Sequence, residues 1–218
     1  AIGFTCTTLT RFVTINLIKK IKTIYSPLVI VGGCHFTFTA KDALEKVGEI
    51  DIVVRGEGEE TILEVLRAYA NDKEYGNVSG ITYRKDTCQV IENPDRPFNN
   101  FNRILPPAWE LFDLSLYNDT LESTNLRVIG VMSSRGCPQR CAFCANSAMG
   151  RTALRLRSPN LVVNELEGLH TKFGYNAFKF SDDTLTINKA HITDICSEIL
   201  NRNLEVKWSA RVRANTVD

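Results

Sequence analysis

The sequence predicts an α/β protein built as two consecutive βα series, a doubly wound layer followed by the opening part of a βα barrel. Three observations lead there. Short apolar runs alternate with helix-spaced segments in two separate stretches. A stretch rich in proline and asparagine lies between them, and glycines, cysteines, acids and arginines gather where the apolar runs end.

In the first series, Ile2-Gly3-Phe4-Thr5 reads as a short strand. Leu9, Phe12, Val13, Leu17, Ile21 and Ile24 then recur at helical spacing, with Lys19, Lys20 and Lys22 on the other side, as in an amphipathic helix. Leu28-Val29-Ile30-Val31 is a continuous apolar run, as expected for a strand buried on both faces of a parallel sheet, and Gly32-Gly33 ends it. A short helix is expected over 40–47 and a third strand at Ile52-Val53-Val54. Gly56-Glu57-Gly58 then turns the chain into a helix over 59–70, with Ile62, Leu63, Val65 and Leu66 as its apolar residues. In such layers ligands bind beyond the carboxyl ends of the strands. Both glycine turns fall there.

Between residues 71 and 127 the alternation dissolves. Ile81-Thr82-Tyr83-Arg84 and Gln89-Val90-Ile91, joined through Lys85-Asp86-Thr87, predict a β-hairpin. Pro94, Pro97, Pro106 and Pro107, with Asn99, Asn100 and Asn102, mark a linker that wraps rather than packs. The expected division is therefore 1–93 for the first domain, 94–125 for the linker and 126–218 for the second domain.

The second series opens with the strand Val128-Ile129-Gly130-Val131-Met132. Ser158-Pro159 is a helix start, a cap residue with proline in the first helical position, and the helix runs to about 173. Ala177-Phe178-Lys179-Phe180 is the next strand, ending in Ser181-Asp182-Asp183. A helix over about 189–201 and a strand at Val206-Lys207-Trp208-Ser209 follow, then Arg211 and Arg213. Strands of βα barrels present functional groups at their carboxyl ends. Here those positions hold cysteines, an acidic pair and arginines.

The 218 residues, 44% hydrophobic and 23% charged, suffice for a buried core in one or two soluble domains. A formal charge of +1 gives no nucleic-acid signal. No apolar run approaches the roughly 18 residues of a membrane helix, and no signal peptide opens the chain. Seven cysteines, three of them tightly clustered, do not form a secreted disulfide framework, so a reducing cytoplasm is expected. Lacking an initiator methionine and opening inside a strand-like run, the chain reads as an internal piece of a longer polypeptide.

The clustered cysteines stand in Ser-Arg-Gly-Cys-Pro-Gln-Arg-Cys-Ala-Phe-Cys, which places Cys137, Cys141 and Cys144 in a CxxxCxxC spacing with Phe143 before the last. A structural zinc site is normally closed by four protein ligands. Three thiolates suit an iron–sulfur cluster with one iron left for chemistry. On a loop after the first strand of a βα barrel, this motif resembles the radical S-adenosylmethionine enzymes. Val31-Gly32-Gly33-Cys34-His35 and Arg55-Gly56-Glu57-Gly58-Glu59-Glu60-Thr61 resemble the amino-terminal cobalamin-binding domain of one branch. Leu105-Pro106-Pro107-Ala108-Trp109 and Phe180-Ser181-Asp182-Asp183-Thr184 also read like that branch.

The resemblance implies a Rossmann-like (flavodoxin-like) cobalamin-binding-type domain followed by the first part of a (β/α)6 barrel. It implies that Cys137, Cys141 and Cys144 hold a 4Fe–4S cluster, that S-adenosylmethionine chelates the open iron, and that its reductive cleavage yields a 5′-deoxyadenosyl radical. Phe143, Ser181, Asp182 and Asp183 are the implied S-adenosylmethionine residues. Gly32, Gly33, Gly56, Glu57 and Gly58 are those for cobalamin. Arg135 and Arg140 would offset cluster charge. A glycine-glycine-glutamate motif is not evident, and Ser181-Asp182-Asp183 stands at the corresponding strand end. An electron donor such as flavodoxin or ferredoxin is the implied partner, acting beside a small-molecule substrate. No residue is assigned a catalytic role on the substrate.

Other readings stand beside this one. The same family without functional cobalamin, such as a methylthiotransferase-like enzyme, is the nearest. A non-catalytic iron–sulfur or zinc-binding module belongs to a different class. Cys6, Cys34, Cys88 and Cys196 read as small core or surface residues. His35 is either a ligand contact or a backbone-bonded loop residue, and His170 and His191 read as surface residues. Glu57 and Glu59 also suit a helix amino-terminus, Asp182 and Asp183 a helix-start cluster, and Arg211 and Arg213 pairing with nearby acids.

Overall fold

The computed structural model describes residues 1–71, 74–86, 89–122 and 124–217. They divide into two compact units, Ala1–Asn99 and Asn100–Asp218.

The first unit runs β1 (Ile2–Thr5), α1 (Arg11–Ile24), β2 (Val29–Gly32), α2 (Cys34–Lys46), β3 (Ile52–Val54), α3 (Glu59–Ala70), β4 (Ile81–Arg84) and β5 (Val90–Glu92). Its sheet has the order β1-β2-β3-β4-β5. The first three strands are parallel and the last three antiparallel in turn. Successive side chains leave opposite faces of a strand, and the two cores sort accordingly. Val29, Val31 and Val53 pack with Ile18 of α1 and with Phe36 and Leu44 of α2. Ile30, Ile52 and Val54 pack with Val65 of α3 on the other face. Burial of β2 and β3 on both faces explains their unbroken apolar runs.

Two elements depart from expectation. α1 leaves most of its apolar stripe in solvent, with Leu9 before it 91% exposed and Val13 71% exposed, and buries Thr14 and Ile18 instead. Ile18 enters the core with Ile15 packed against it, and Lys22 lies toward the same side. Lys22 Nζ lies 2.8 Å from Asp51 Oδ2, which also accepts from the Val29 N–H at 2.7 Å. The lysine stem therefore runs toward the sheet with its head satisfied. α2 begins at Cys34, well before residue 40, and bends at Thr39 (φ −121°, ψ 23°). The Thr37 and Thr39 hydroxyls donate to the Gly33 and His35 carbonyls four residues back, a bonding pattern that bends helices.

The hairpin β4–β5 forms as expected, with Thr87 and Cys88 of its turn outside the described residues. Residues 94–99 are fastened to this unit. The buried Arg55 guanidinium donates to Asp95 Oδ1 at 2.8 Å and to the Ile81 carbonyl at 2.7 Å, and Arg96 Nε donates to Thr61 Oγ1 at 2.8 Å.

The second unit contains β6 (Val128–Val131), β7 (Ser134–Arg135), α4 (Ala145–Ala148), β8 (Arg155–Leu156), α5 (Pro159–Phe173), β9 (Ala177–Phe180), α6 (Lys189–Asn201) and β10 (Lys207–Ala210). β6, β9 and β10 form a parallel sheet with β9 central, and β7 pairs with β8 in a separate two-stranded ladder. Ile129, Val131, Phe178 and Phe180 pack beneath Val162, Leu166, Leu169 and Ile195 of α5 and α6. The intervening row, Gly130, Lys179 and Ser209, is in register on the opposite face. Pro159 starts α5, and Gly174 in the left-handed region (φ 72°) ends it.

Where a wrapping linker was expected, Trp109 and Leu114 pack against this core, and Trp109 Nε1 donates to Glu165 Oε1 at 3.2 Å. His170 is half-buried, its Nδ1 3.1 Å from the Tyr175 carbonyl oxygen. His191, expected at the surface, is buried. The Asn188 side chain caps α6 by accepting from the His191 N–H, which turns that first-turn residue inward. Among the described residues no helix is long and apolar enough to cross a membrane.

Candidate cofactor sites

The cysteine loop grows out of β6. β7 and β8 pair Ser134 with Leu156 and Arg135 with Arg155, which closes residues 136–154 into a loop at its base. Gly136 has φ +88°, and a Cβ there would stand 2.2 Å from the Ala153 carbonyl oxygen, so this turn accepts only glycine. The next residue, Cys137, donates its N–H to the Arg151 carbonyl at 3.0 Å, and the Cys144 N–H donates to the Cys141 carbonyl at 3.0 Å. All three cysteines sit on one short loop as free, half-buried thiols.

Two of the sulfurs have polar neighbours. Cys137 Sγ lies 4.0 Å from Thr184 Oγ1, and Arg213 Nη1 lies 3.7 Å from Cys141 Sγ. Among the described residues no three His, Cys, Asp or Glu side chains gather closely enough to share one metal ion. A multi-iron cluster spreads its thiolates over different metal atoms. The donor set, three soft sulfurs on one loop, fits a cluster rather than a closed zinc site.

The other predicted residues divide. Phe143 is 93% exposed, and Arg140 and Asp183 are also exposed. The Arg135 guanidinium stacks 4.8 Å from the Phe101 ring centre. Ser181 is exposed, and a Cβ at Gly130 would stand 3.2 Å from its Oγ, which puts Ser181 on the open face with Lys179. Asp182 is only 1% exposed. Its Oδ1 accepts from the Ser133 hydroxyl at 2.8 Å and the Ser134 hydroxyl at 2.5 Å, and its Oδ2 accepts from the Ser133 N–H at 3.1 Å. Arg211 contributes its carbonyl to the Leu185 N–H, whereas Arg213 reaches a cysteine sulfur.

Sequence reasoning gave no role to Ser133, Ser134 or Lys179, and quoted Thr184 only as the end of its run. Only Lys179 carried a readable signal, a lone charge between two phenylalanines in a strand.

In the first unit a cleft of about 460 Å³ opens at the carboxyl ends of β1, β2 and β3. Gly3, Gly32, Gly33, Gly56 and Gly58 line it with Ile30, Val54 and Ile62. A Cβ at Gly3 or Gly56 would project into open space, and Gly56 holds φ +73°. At Gly33 (φ +91°) a Cβ would instead stand 2.6 Å from the Cys6 carbonyl oxygen, so that glycine serves the turn. Gly3 and Gly56 let a bulky ligand lie directly on backbone, which fits the extended tail of cobalamin. Glu59 also lines the cleft, while Glu57 Oε2 accepts from the Asn99 N–H at 3.1 Å. His35 Nδ1 lies 3.3 Å from Thr8 Oγ1, and burial and the Arg11 charge lower its pKa. A second cavity, about 440 Å³, lies around the Lys22–Asp51 pair at the opposite ends of the strands and holds none of the predicted residues.

Fold and site together define a class: two-unit α/β proteins in which a unit with a glycine-lined cleft precedes, in sequence, a parallel βα unit headed by a cysteine loop. Residues 1–66 match the B12 binding domain and residues 131–216 match the radical SAM superfamily. An uncharacterized methyltransferase of Pyrococcus horikoshii is 34% identical over 217 residues, covering 99% of this chain and 46% of that protein. The anaerobic magnesium-protoporphyrin IX monomethyl ester cyclase of a Synechocystis strain is 30% identical over 190 residues, covering 87% of this chain and 37% of the relative. The solved structure of the cobalamin-dependent S-adenosylmethionine radical enzyme OxsB, with aqua-cobalamin and S-adenosylmethionine bound, superposes with a TM-score of 0.81. It is 19% identical, and the match covers 99% of this chain and 30% of that one. The chain thus spans less than half the length of each. It belongs to the cobalamin-binding branch of the radical S-adenosylmethionine superfamily. Its domains are those for cobalamin, a 4Fe–4S cluster and S-adenosylmethionine.

Proposed function

We propose that the protein is a radical S-adenosylmethionine enzyme that carries out cobalamin-assisted methyl transfer or an oxidative ring closure on a small molecule. The observation that carries this reading is the closed loop with three free thiols at the end of β6. When bound, the reduced 4Fe–4S cluster supplies one electron to the sulfonium of S-adenosylmethionine. Cys137, Cys141 and Cys144 hold the cluster, Arg213 offsets charge beside Cys141, and the Gly136 turn keeps the loop tight. Ser181 and Asp183 stand exposed at the end of β9, where a ligand on the open face of the sheet would meet them. Phe143 offers an exposed ring for stacking on adenine. The cleft glycines Gly32, Gly56 and Gly58 seat the cobalamin tail. An external one-electron donor, a flavodoxin or ferredoxin, delivers the electron in a reducing cytoplasm, where thiols stay free.

The test is anaerobic reconstitution with iron and sulfide, followed by incubation of the full-length protein with a reductant and S-adenosylmethionine. Release of 5′-deoxyadenosine, lost in Cys141→Ala together with the iron, is the expected result. Stoichiometric zinc without iron, or an intact cluster that cleaves nothing, overturns the reading. For cobalamin, Gly3→Val fills open space in the cleft and should weaken binding of hydroxocobalamin without disturbing the iron.

A further inference from the structure

We propose that Asp182 is a positioning residue for the root of the cysteine loop and makes no contact with S-adenosylmethionine, leaving Ser181 and Asp183 as the ligand-facing members of their run. The inference rests on the reading that Cys137, Cys141 and Cys144 hold the cluster.

Both oxygens of the Asp182 carboxylate are occupied. Oδ1 takes two serine hydroxyls and Oδ2 takes the Ser133 N–H, all three donors belonging to the residues that join β6 to the loop. Ser133 is fully buried and Ser134 and Asp182 nearly so, which shields these charge-assisted bonds from water. The same two serines hold the far side of the loop. The Ser133 carbonyl accepts from the Arg157 N–H at 2.8 Å, and Ser134 is the ladder partner of Leu156. Thr184, two residues beyond Asp182, is the neighbour of Cys137 Sγ. From α6, His191 is buried as well, at 5% exposure. One carboxylate at the end of β9 thus ties together the entry and the exit of the loop that carries the thiols. The carboxylate takes all three donors at once. Asparagine could keep the Ser133 N–H bond only by turning its NH₂ toward the two hydroxyls, which would then have to reverse from donors to acceptors, and the charge assistance would be lost.

The test uses the anaerobically reconstituted protein. Three readouts are taken: the rate at which the chelator bathophenanthroline removes iron, the electron paramagnetic resonance spectrum of the reduced cluster, and the Kd for S-adenosylmethionine of the cluster-loaded fraction. Asp182→Asn and the double variant Ser133→Ala/Ser134→Ala should each lose iron about 10- to 100-fold faster, the usual effect of losing a group that orients metal ligands. Both should alter the resonance spectrum in the same way while leaving the Kd essentially unchanged. Ser134→Thr, which keeps a hydroxyl, should retain close to the original rate, and Asp183→Asn should not accelerate iron loss. If Asp182→Asn fails to fold, Ser134→Ala alone must still accelerate iron loss and change the spectrum. Unchanged iron loss with a raised Kd makes Asp182 a ligand contact and overturns the proposal, as does no change in any readout. Failure of the unsubstituted protein to take up iron removes the cluster reading itself, and this proposal falls with it.

Discussion

Arg213 Nη1 stands 3.7 Å from Cys141 Sγ, a cation beside the central cysteine of the triplet, seventy-two residues apart in sequence. Among the described residues the Arg213 Nε is buried without a hydrogen-bond partner, and its Nη1 is the group that approaches the sulfur. A fixed positive charge there favours the more negative, reduced state of a bound cluster. Arg213→Ala should lower the cluster's reduction potential by roughly 50 mV, close to a tenfold change in a one-electron equilibrium. Arg213→Lys keeps the charge and should retain most of the potential. A redox titration followed by electron paramagnetic resonance reads both.

Gly136→Ala combines a backbone forced into the left-handed region with a Cβ 2.2 Å from the Ala153 carbonyl oxygen. Backbone in sparsely populated regions costs about 1–3 kcal/mol, and the clash adds to it. The strain falls inside the loop. Iron and sulfide per chain after reconstitution should drop severalfold, while the far-ultraviolet circular dichroism stays that of the parent.

Arg157 and Glu165 form an ion pair with side chains 6% and 4% exposed, and Trp109 donates to the same carboxylate. Removing one partner strands a buried charge. Glu165→Ala should destabilise the second unit by about 3–5 kcal/mol, and the double change Arg157→Met/Glu165→Leu should recover most of that loss. Urea unfolding monitored by tryptophan fluorescence gives the comparison.

Burial holds the His191 imidazole below its ordinary pKa, against the opposing pull of the Ser133 backbone, Asp182 and Asp194. The unfolded chain therefore takes up this proton first as the pH falls. The stability tied to neutral His191 is complete above about pH 6.5 and declines as the pH falls below it. The urea midpoint should drop from pH 7 to pH 5.5, and His191→Gln should flatten the slope. His35 is shifted in the same direction, so the difference between parent and variant isolates His191.

Most of the fold was legible because each element announced its period. β2 and β3 read as buried strands from unbroken apolar runs, and α5 from Ser158-Pro159 and its apolar spacing. The orientation of α1 was not legible. Its stripe of Leu9, Phe12, Val13 and Leu17 pointed one way, whereas the face that packs carries Ile15 and Ile18 with Lys22, whose partner Asp51 lies twenty-nine residues distant. The early start of α2 was hidden by Phe36, Thr37, Phe38 and Thr39, residues with modest helix propensity. At the cysteine loop the sulfurs were evident from spacing alone. Their support was not, because the partners of Asp182 lie forty-eight and forty-nine residues upstream and serines carry no periodic signature. His191 was misplaced for a similar reason: a helical histidine reads as polar until a cap fixes which way its turn faces.

The ladder between β7 and β8 bears on the order of events during maturation. Small zinc domains collapse only once metal arrives. Here the pairing of Ser134 with Leu156 and Arg135 with Arg155 ties the thiol-bearing segment into a ring using peptide groups alone. If those thiols hold the cluster, the segment is tied at its base by bonds that need no metal, so the apo chain should keep this pairing and accept iron on a loop already closed. Oxidative loss of the inorganic part would then be repairable in place, without passing the chain back through an unfolded state.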